Sequence, residues 1–134
     1  MPGSFFDSNI LLYIAGADDA KADRAEALIA EGGTICVQVL NEIAKVARRK
    51  MLFDWEEVQT LLSSIRGLLD VVPLTIEIHE SGVALARRFK LSTYDAMIVA
   101  AALDAGCTTL WSEDMQHGLL INDRVRIRNP FRRD

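Results

Sequence analysis

Short apolar runs alternate with longer helical patterns along the whole chain. A brief continuous apolar run between turn residues is typical of a buried strand, and apolar residues three and four positions apart are typical of a helix packed on one face. Regular alternation of the two predicts β/α units around a mostly parallel sheet. We therefore expect an α/β fold with about four to five strands in a central sheet flanked by helices.

The predicted elements follow one another without an internal repeat or a long linker. Strands are expected at Ser4–Phe6, in "TICV", "DVVPL" and "CTTLW", and in a short final "VRIRN". In that final strand we expect Val125 and Ile127 to face the core and the arginines beside them to face solvent. Helices are expected at Ile10–Ile14, Ala22–Ala30, Val37–Lys50, Trp55–Leu69, Ile76–Phe89 and Thr93–Ala105.

Composition is that of an ordinary globular protein. The 134 residues, half of them apolar and a quarter charged, fit one domain spanning residues 1–134. No apolar run approaches the roughly 20 residues of a membrane span, and the first residues do not have the pattern of a secretory signal. Cys36 and Cys107 lie in strand-like runs and are interpreted as buried, reduced thiols. We therefore expect a cytoplasmic protein.

The net charge of the chain is −4 at pH 7. Proteins that bind nucleic acids through charge alone are usually basic. A nucleic-acid partner for this chain therefore requires a local basic surface, or a metal ion that offsets the acids.

Two acidic residues in the first third of the chain have both a structural and a chemical interpretation. Asp7 directly follows the first predicted strand, where sites form in α/β sheets, but a helix N-cap assisted by Asn9 is the simpler explanation for it alone. Glu42 borders the apolar stripe of its helix, where an unpaired buried carboxylate is costly. An ion pair with Lys45 at i+3 is its structural explanation.

Two further acids lie in the last third of the chain. Asp95 has capping-box spacing from Ser92, yet apolar residues continue from it at helical spacing, so it also begins a buried face. Asp114 follows the fourth predicted strand, where a turn or cap is the structural explanation. Glu113 is its adjacent rival for the same role.

The order of the elements predicts that these four acids share one edge of the sheet. Asp7 and Asp114 follow strand ends, and Glu42 and Asp95 lie near the starts of helices that begin at that edge, if strands one, two and four are neighbours. Two unit charges about 4 Å apart repel by roughly 4 kcal/mol at an effective dielectric constant of about 20, so such a cluster needs protons or a cation. Oxygen ligands without a suitably spaced His or Cys suit Mg²⁺ or Mn²⁺ rather than Zn²⁺.

Four segments together resemble the PIN-domain ribonucleases, especially the VapC-like toxins of toxin–antitoxin pairs. They are "FFDSNILLY", "VQVLNEIAKV", "LSTYDAMIVAAAL" and "TTLWSEDMQHG", and in order they cover nearly the whole chain. In that family a strand-end D-[ST]-N, a helix Glu, a Y/H-D-A helix start and a [ST]-x-D after a strand supply the metal site. The matching acids here are Asp7, Glu42, Asp95 and Asp114, with Ser8, Asn9 and Ser112 at the supporting positions.

The resemblance implies a three-layer PIN-like fold and Mg²⁺- or Mn²⁺-dependent endonucleolytic cleavage of RNA. It implies that Asp7, Glu42 and Asp95 hold the primary metal ion, and that Asp114 completes the site or binds a second ion. It also implies a homodimer and a cognate antitoxin protein that blocks the acidic edge.

Basic residues cluster at two helix ends and at the C-terminus. The groups Arg48–Lys50 and Arg87–Lys90 are explained as solvated helix ends favoured by the helix dipole. The C-terminal group is the better candidate for phosphate contacts. Its members are Arg124, Arg126, Arg128, Arg132 and Arg133.

The predicted helix Trp55–Leu69 has more apolar positions than a narrow stripe against a sheet requires. Core packing explains such a pattern, and so does an exposed groove for a partner helix or a second copy of the chain. Both interpretations stay open at the level of the sequence.

Two other functions are compatible with acids at strand ends. A receiver-like phosphotransfer domain needs a phospho-accepting Asp after its middle strand and a Lys after a late one. Here Pro73 ends the third predicted strand and no Asp comes directly after that strand. No Lys follows the fourth predicted strand. A binding protein with a PIN-like fold and no catalytic activity is the other alternative, and it would take up no metal.

Overall fold

The strands of the protein form one twisted sheet in the computed structural model, which describes residues 3–132. The sheet order is β3-β2-β1-β4-β6-β5, and every neighbouring pair is parallel except the antiparallel pair β5–β6. The expected neighbourhood of strands one, two and four is therefore confirmed. The strand bounds are Ser4–Phe6 (β1), Thr34–Cys36 (β2), Asp70–Val72 (β3), Thr109–Trp111 (β4), Leu120–Ile121 (β5) and Val125–Arg128 (β6).

The described residues contain one strand more than the four to five expected. The additional strand, β5, is two residues long and is too short for alternation to be visible in the sequence. It pairs with β6 through a tight turn in which Asn122 and Asp123 have φ values of 50° and 57°, and the Arg124 N–H donates to the Ile121 carbonyl at 2.9 Å. Three residues, 122–124, lie between the paired residues Ile121 and Val125, and the consecutive positive φ values reverse the chain within this short loop.

Six helices connect the strands of the described region, as predicted. Their bounds are Ser8–Leu12 (α1, followed by a 3₁₀ turn at Tyr13–Ala15), Asp19–Ala30 (α2), Val37–Arg49 (α3), Trp55–Leu68 (α4), Ile76–Phe89 (α5) and Thr93–Asp104 (α6). The largest shift from prediction is at α2, which begins at Asp19 rather than Ala22. The reason is a cap, because the Asp18 carboxylate accepts the Lys21 N–H at 3.1 Å.

Crossovers distribute the helices over both faces of the sheet. The chain passes from β1 to β2 to β3 in one direction and then returns across the sheet to β4. Right-handed connections of this order place the helices before β3 on one face and α5 and α6 on the other. Helix α6 is buried throughout Ala96–Leu103, since it is covered by the sheet on one side and by α5 on the other.

The central strand and the last strand carry much of the core. Phe5 and Phe6 of β1 are fully buried, as are Val125 and Ile127 of β6, while the arginines beside them are exposed, as predicted. Cys36 and Cys107 are buried and are not joined in a disulfide, which agrees with the interpretation as buried, reduced thiols. Within residues 3–132, no helix is long and apolar enough to cross a membrane.

Helix α4 divides its apolar residues between the core and the surface. Val58 and Ile65 are buried, whereas Trp55 is 67% exposed and Leu68 is 56% exposed. Core packing therefore explains part of the apolar pattern of α4, and the other apolar side chains are exposed to solvent, where a partner could contact them. Leu52, 81% exposed just before the helix, adds to these exposed side chains.

Candidate active site

Asp7 is placed by both the sheet and the first helix. Its N–H donates to the Trp111 carbonyl of β4 at 2.9 Å, which fixes the end of β1 against its neighbour. Its carboxylate caps α1 by accepting the Ser8 N–H at 2.7 Å, so the N-cap interpretation is correct. The second carboxylate oxygen accepts the Ser112 hydroxyl at 2.7 Å and the Asn9 amide at 3.2 Å. Asp7 is only 3% exposed, and these polar contacts offset part of the cost of burying it.

Glu42 projects from α3 towards the same edge and is oriented by two neutral donors. The Ser8 hydroxyl donates to its Oε1 at 2.8 Å, and the Gln38 amide donates to its Oε2 at 3.1 Å. The ion pair with Lys45 that the spacing suggested is absent from the described residues. The structural reason is that both oxygens of Glu42 already face donors, and Lys45 is exposed to solvent.

Asp95 lies in the first turn of α6. The N-cap residue Ser92 accepts the Asp95 N–H at 3.2 Å, so half of the predicted capping box is formed. The side chain is half-buried, and burial raises its pKa above the ordinary value. The negative charges of Glu42 and Asp114 raise the pKa further.

Asp114 and its rival Glu113 point in different directions. The Asn9 amide donates to Asp114 at 3.0 Å and to Asp7 at 3.2 Å, so Asn9 links both acids. Glu113 instead directs its carboxylate to Lys21 and Tyr13. Burial raises the pKa of Glu113, but the bonds from these two residues outweigh it and hold that pKa below the ordinary value. The acid at the rim is therefore Asp114.

The supporting residues predicted from the sequence all contact the site. Ser112 is fully buried, donates to Asp7 and accepts the Met115 N–H at 3.2 Å. Ser8 joins Asp7 to Glu42. The structure thus brings together the predicted set, namely Asp7, Glu42, Asp95, Asp114, Ser8, Asn9 and Ser112.

Burial dominates the electrostatics of Asp7. It raises the pKa of the carboxyl from 3.8 to about 6, and the charges of Asp95 and Glu42 add to the rise. The hydrogen bonds from Ser112 and Ser8 act in the opposite direction. A cation near this carboxylate would remove the repulsion and lower its pKa.

The rim offers donors of the type that Mg²⁺ prefers. The carboxylates and hydroxyls around Asp7 supply oxygen alone. Within residues 3–132, no three acids, histidines or cysteines stand close enough together to hold a metal ion by themselves. Mg²⁺ keeps several of its waters and uses only one or two carboxylates directly, so the donor set fits a hydrated ion and not a closed cage.

A cleft of about 550 Å³ opens beside these acids. Gln38, Lys45, Lys50 and Tyr94 line it together with Glu42, and none of these four residues is predicted from the sequence to belong to the site. Gln38 had a detectable signal, because it lies four residues before Glu42 on the same helix face. The remaining lining residues are Ser8, Asn41, Val46 and Asp114.

Comparison with known families decides the identity of the fold. The family model described as PIN domain matches residues 4–118. The chain belongs to the PIN domain family. The predicted fold is therefore confirmed, and the receiver-like alternative is wrong.

Solved structures with the same fold include toxins of toxin–antitoxin pairs. A toxin–antitoxin complex from Klebsiella pneumoniae is 20% identical, with a TM-score of 0.72, and the match covers 96% of this chain and 98% of that chain. The sarcin–ricin loop cleaving toxin VapC20 of Mycobacterium tuberculosis is 20% identical, with a TM-score of 0.68 and coverage of 83% and 91%. VapBC2 from Rickettsia felis, bound to a promoter DNA fragment, is 18% identical, with a TM-score of 0.69 and coverage of 94% and 97%. No curated protein matches the chain.

The raised pKa of Asp7 predicts how stability depends on pH. Between about pH 4 and pH 6 the folded protein keeps a proton that the unfolded chain has lost, so the contribution of Asp7 to stability falls as the pH rises through this window. In EDTA at pH 7.5, Asp7→Asn should raise the free energy of unfolding by up to about 3 kcal/mol, since each pKa unit corresponds to about 1.36 kcal/mol. The lost bond from Asn9 reduces this gain.

Urea denaturation at pH 4.5 and pH 7.5 measures the free energy of unfolding. The difference in this free energy between Asp7→Asn and the native protein should be smaller at the lower pH. Asp104→Asn at the far end of α6 is the control and should show no such change. A difference that is the same at both pH values would contradict the assignment.

Proposed function

We propose that this protein is a Mg²⁺- or Mn²⁺-dependent endoribonuclease and the toxin of a toxin–antitoxin pair. The main support is the meeting of Asp7, Glu42, Asp95 and Asp114 at one rim of the sheet, although they come from four separate parts of the chain. Membership of the PIN domain family supports the same function.

Each acid has a defined place in the proposed site. Asp7, Glu42 and Asp95 would hold the primary ion, directly or through its bound waters, and Asp114 would complete its surroundings or contact a second ion. A divalent ion bound there supplies an activated water and stabilises charge on the leaving oxygen of a phosphodiester. The chain itself holds the carboxylates ready, because Ser112 fixes Asp7 and Gln38 fixes one oxygen of Glu42.

The RNA substrate is proposed to follow the cleft beside α3. Lys45 and Lys50 are exposed on the helix that carries Glu42, and both line the cleft. Their ammonium groups suit phosphate contacts next to the scissile bond. Tyr94 also lines the cleft, is 64% exposed, and offers its ring for stacking on a base.

Two of the C-terminal arginines bond the backbone of the protein itself. Arg124 donates to the Leu103 carbonyl at 3.1 Å, and Arg126 donates to the Gly118 carbonyl at 2.8 Å. These two guanidinium groups therefore satisfy backbone acceptors. Arg133 lies outside the described residues.

An antitoxin and a second copy of the chain are the proposed protein partners. The similar structures include a toxin–antitoxin complex and a VapBC pair. Leu52 and Trp55 are exposed at the start of α4 and Leu68 at its end, and exposed apolar side chains of this kind are available to a partner helix. Binding of the antitoxin near the acidic rim would prevent RNA from reaching Asp95.

Removal of one metal-binding acid should abolish cleavage. We expect Asp95→Asn to reduce Mn²⁺-dependent cleavage of a single-stranded RNA at least about 100-fold, because the site loses charge and a ligand. Asp104→Asn, at the opposite end of the same helix, is the matched control and should retain activity. Fluorescence from an internally quenched RNA measures the rate, and calorimetry measures Mn²⁺ uptake.

Full activity of Asp95→Asn would refute the proposed site. Native protein that binds no Mn²⁺ and cleaves no RNA would instead support the alternative of a non-catalytic PIN-like binding protein. The preformed contacts around Asp7 make uptake the expected result.

Loss of the two cleft lysines should weaken RNA binding without changing the chemistry. We expect Lys45→Gln with Lys50→Gln to raise KM and to leave kcat nearly unchanged. The slope of log affinity against log salt should fall by about 1.4, which is roughly 0.7 for each lost contact to a single strand. The control is Arg66→Gln, an exposed cation on α4. An unchanged salt slope in the double variant would show that RNA follows another path.

A further inference from the structure

A second polar cluster lies beside the acidic rim and contains a close ion pair between Lys21 and Glu113. The carboxylate of Glu113 accepts hydrogen bonds from the Tyr13 hydroxyl and from the Lys21 ammonium group. The same ammonium group donates to the Tyr13 hydroxyl at 3.1 Å. Tyr13, Lys21 and Glu113 therefore form a closed triangle, which we call the Glu113 clamp.

Two aromatic rings contact the Lys21 ammonium group of the clamp. The rings of Tyr13 and Phe131 meet edge to face, with centroids 5.0 Å apart and planes at 75°. The Lys21 ammonium lies 4.9 Å from the Tyr13 centroid and 5.0 Å from the Phe131 centroid. Charge-assisted hydrogen bonds and cation–π contacts of this kind strengthen one another where solvent is partly excluded.

The clamp is attached directly to the candidate site. The Glu113 N–H donates to the side-chain Oδ1 of Asn9 at 3.2 Å, and the Nδ2 of the same side chain donates to Asp114 and Asp7. Glu113 is thus held at its backbone by Asn9 and at its side chain by Lys21. Holding both ends restricts the backbone dihedrals of the residue that precedes Asp114.

Asp114 itself has little other support. It is exposed, it lies in a bend between β4 and β5, and its side chain is bonded to Asn9. The other acids of the rim have firmer positions, since Asp7 caps a helix and Glu42 projects from the middle of one. Asp114 is therefore the acid whose direction depends most on its chain neighbours.

We propose that the Glu113 clamp is a positioning device, in which Lys21 and Tyr13 hold Glu113 away from the rim and so direct Asp114 into it. Glu113 is a positioning residue that does not touch the metal or the RNA. This inference rests on the proposed function for its effect on catalysis. The effect of the clamp on the direction of Asp114 in the metal-free protein is independent of the proposed function.

Mn²⁺ titration of RNA cleavage and of binding provides the first test. We expect Glu113→Gln and Lys21→Met each to raise the half-saturating Mn²⁺ concentration about tenfold, which is the usual effect of losing a group that orients a metal ligand. Lys21→Arg keeps a cation on Glu113 and should restore most of the native response.

A double-mutant cycle separates positioning from simple stabilisation. If Glu113 acts through Asp114, then Glu113→Gln should have no further effect on the Mn²⁺ response once Asp114→Asn is present. An equal effect of Glu113→Gln with Asp114 or with Asn at that position would overturn the proposal. A native Mn²⁺ response in Glu113→Gln would overturn it as well.

Hydrogen exchange keeps the test independent of metal and RNA. In EDTA, Glu113→Gln and Lys21→Met should speed exchange of the Glu113 and Met115 amides at least about tenfold, while amides in the buried part of α6 keep their native rates. Unchanged exchange at both amides would refute the clamp. Native protein that neither binds Mn²⁺ nor cuts RNA would refute the proposed function, and the exchange result would still decide the inference.

Discussion

The whole arrangement depends on burying the Asp7 carboxylate at the end of the central strand. A carboxylate that is 3% exposed needs hydrogen-bond donors, and it has them in the Ser8 amide, the Ser112 hydroxyl and the Asn9 side chain. The same donors connect it to its surroundings, because Ser8 also bonds Glu42 and Asn9 also bonds Asp114. The contacts that make the burial of one acid tolerable therefore gather the others around it.

Chain topology brings these donors and acids to one place. Strands β2, β1 and β4 are parallel neighbours, so the residues that follow them emerge at the same edge. Helix α6 runs back towards the start of β4, which puts Asp95 at that edge as well. The resulting concentration of negative charge raises the pKa of both Asp7 and Asp95, and such a site is stabilised by binding a cation.

Local patterns were enough to predict most of the fold and the placement of the candidate acids at one edge of the sheet. Strand ends and helix starts are read from short runs, and parallel order then places Asp7, Glu42 and Asp95 together. The predicted ion pair between Glu42 and Lys45 was wrong, because several neighbouring donors can reach Glu42 and the sequence does not show which of them bonds it. In the structure Glu42 accepts hydrogen bonds from Ser8 and Gln38. The Glu113 clamp had no sequence signal, because its members Lys21 and Glu113 are 92 positions apart and meet only through tertiary packing. Strand β5 was missed because two residues show no period.

The central claim is that the rim acids hold a divalent ion, and a crystal structure of the protein with Mn²⁺ tests it most directly. Anomalous scattering locates the ion without reference to activity. The account predicts a peak at the rim with oxygens of Asp7 and of Glu42 or Asp95 at about 2.1 Å, the remaining ligands being water. An empty rim at saturating Mn²⁺, with these carboxylates in the positions described here, would contradict it.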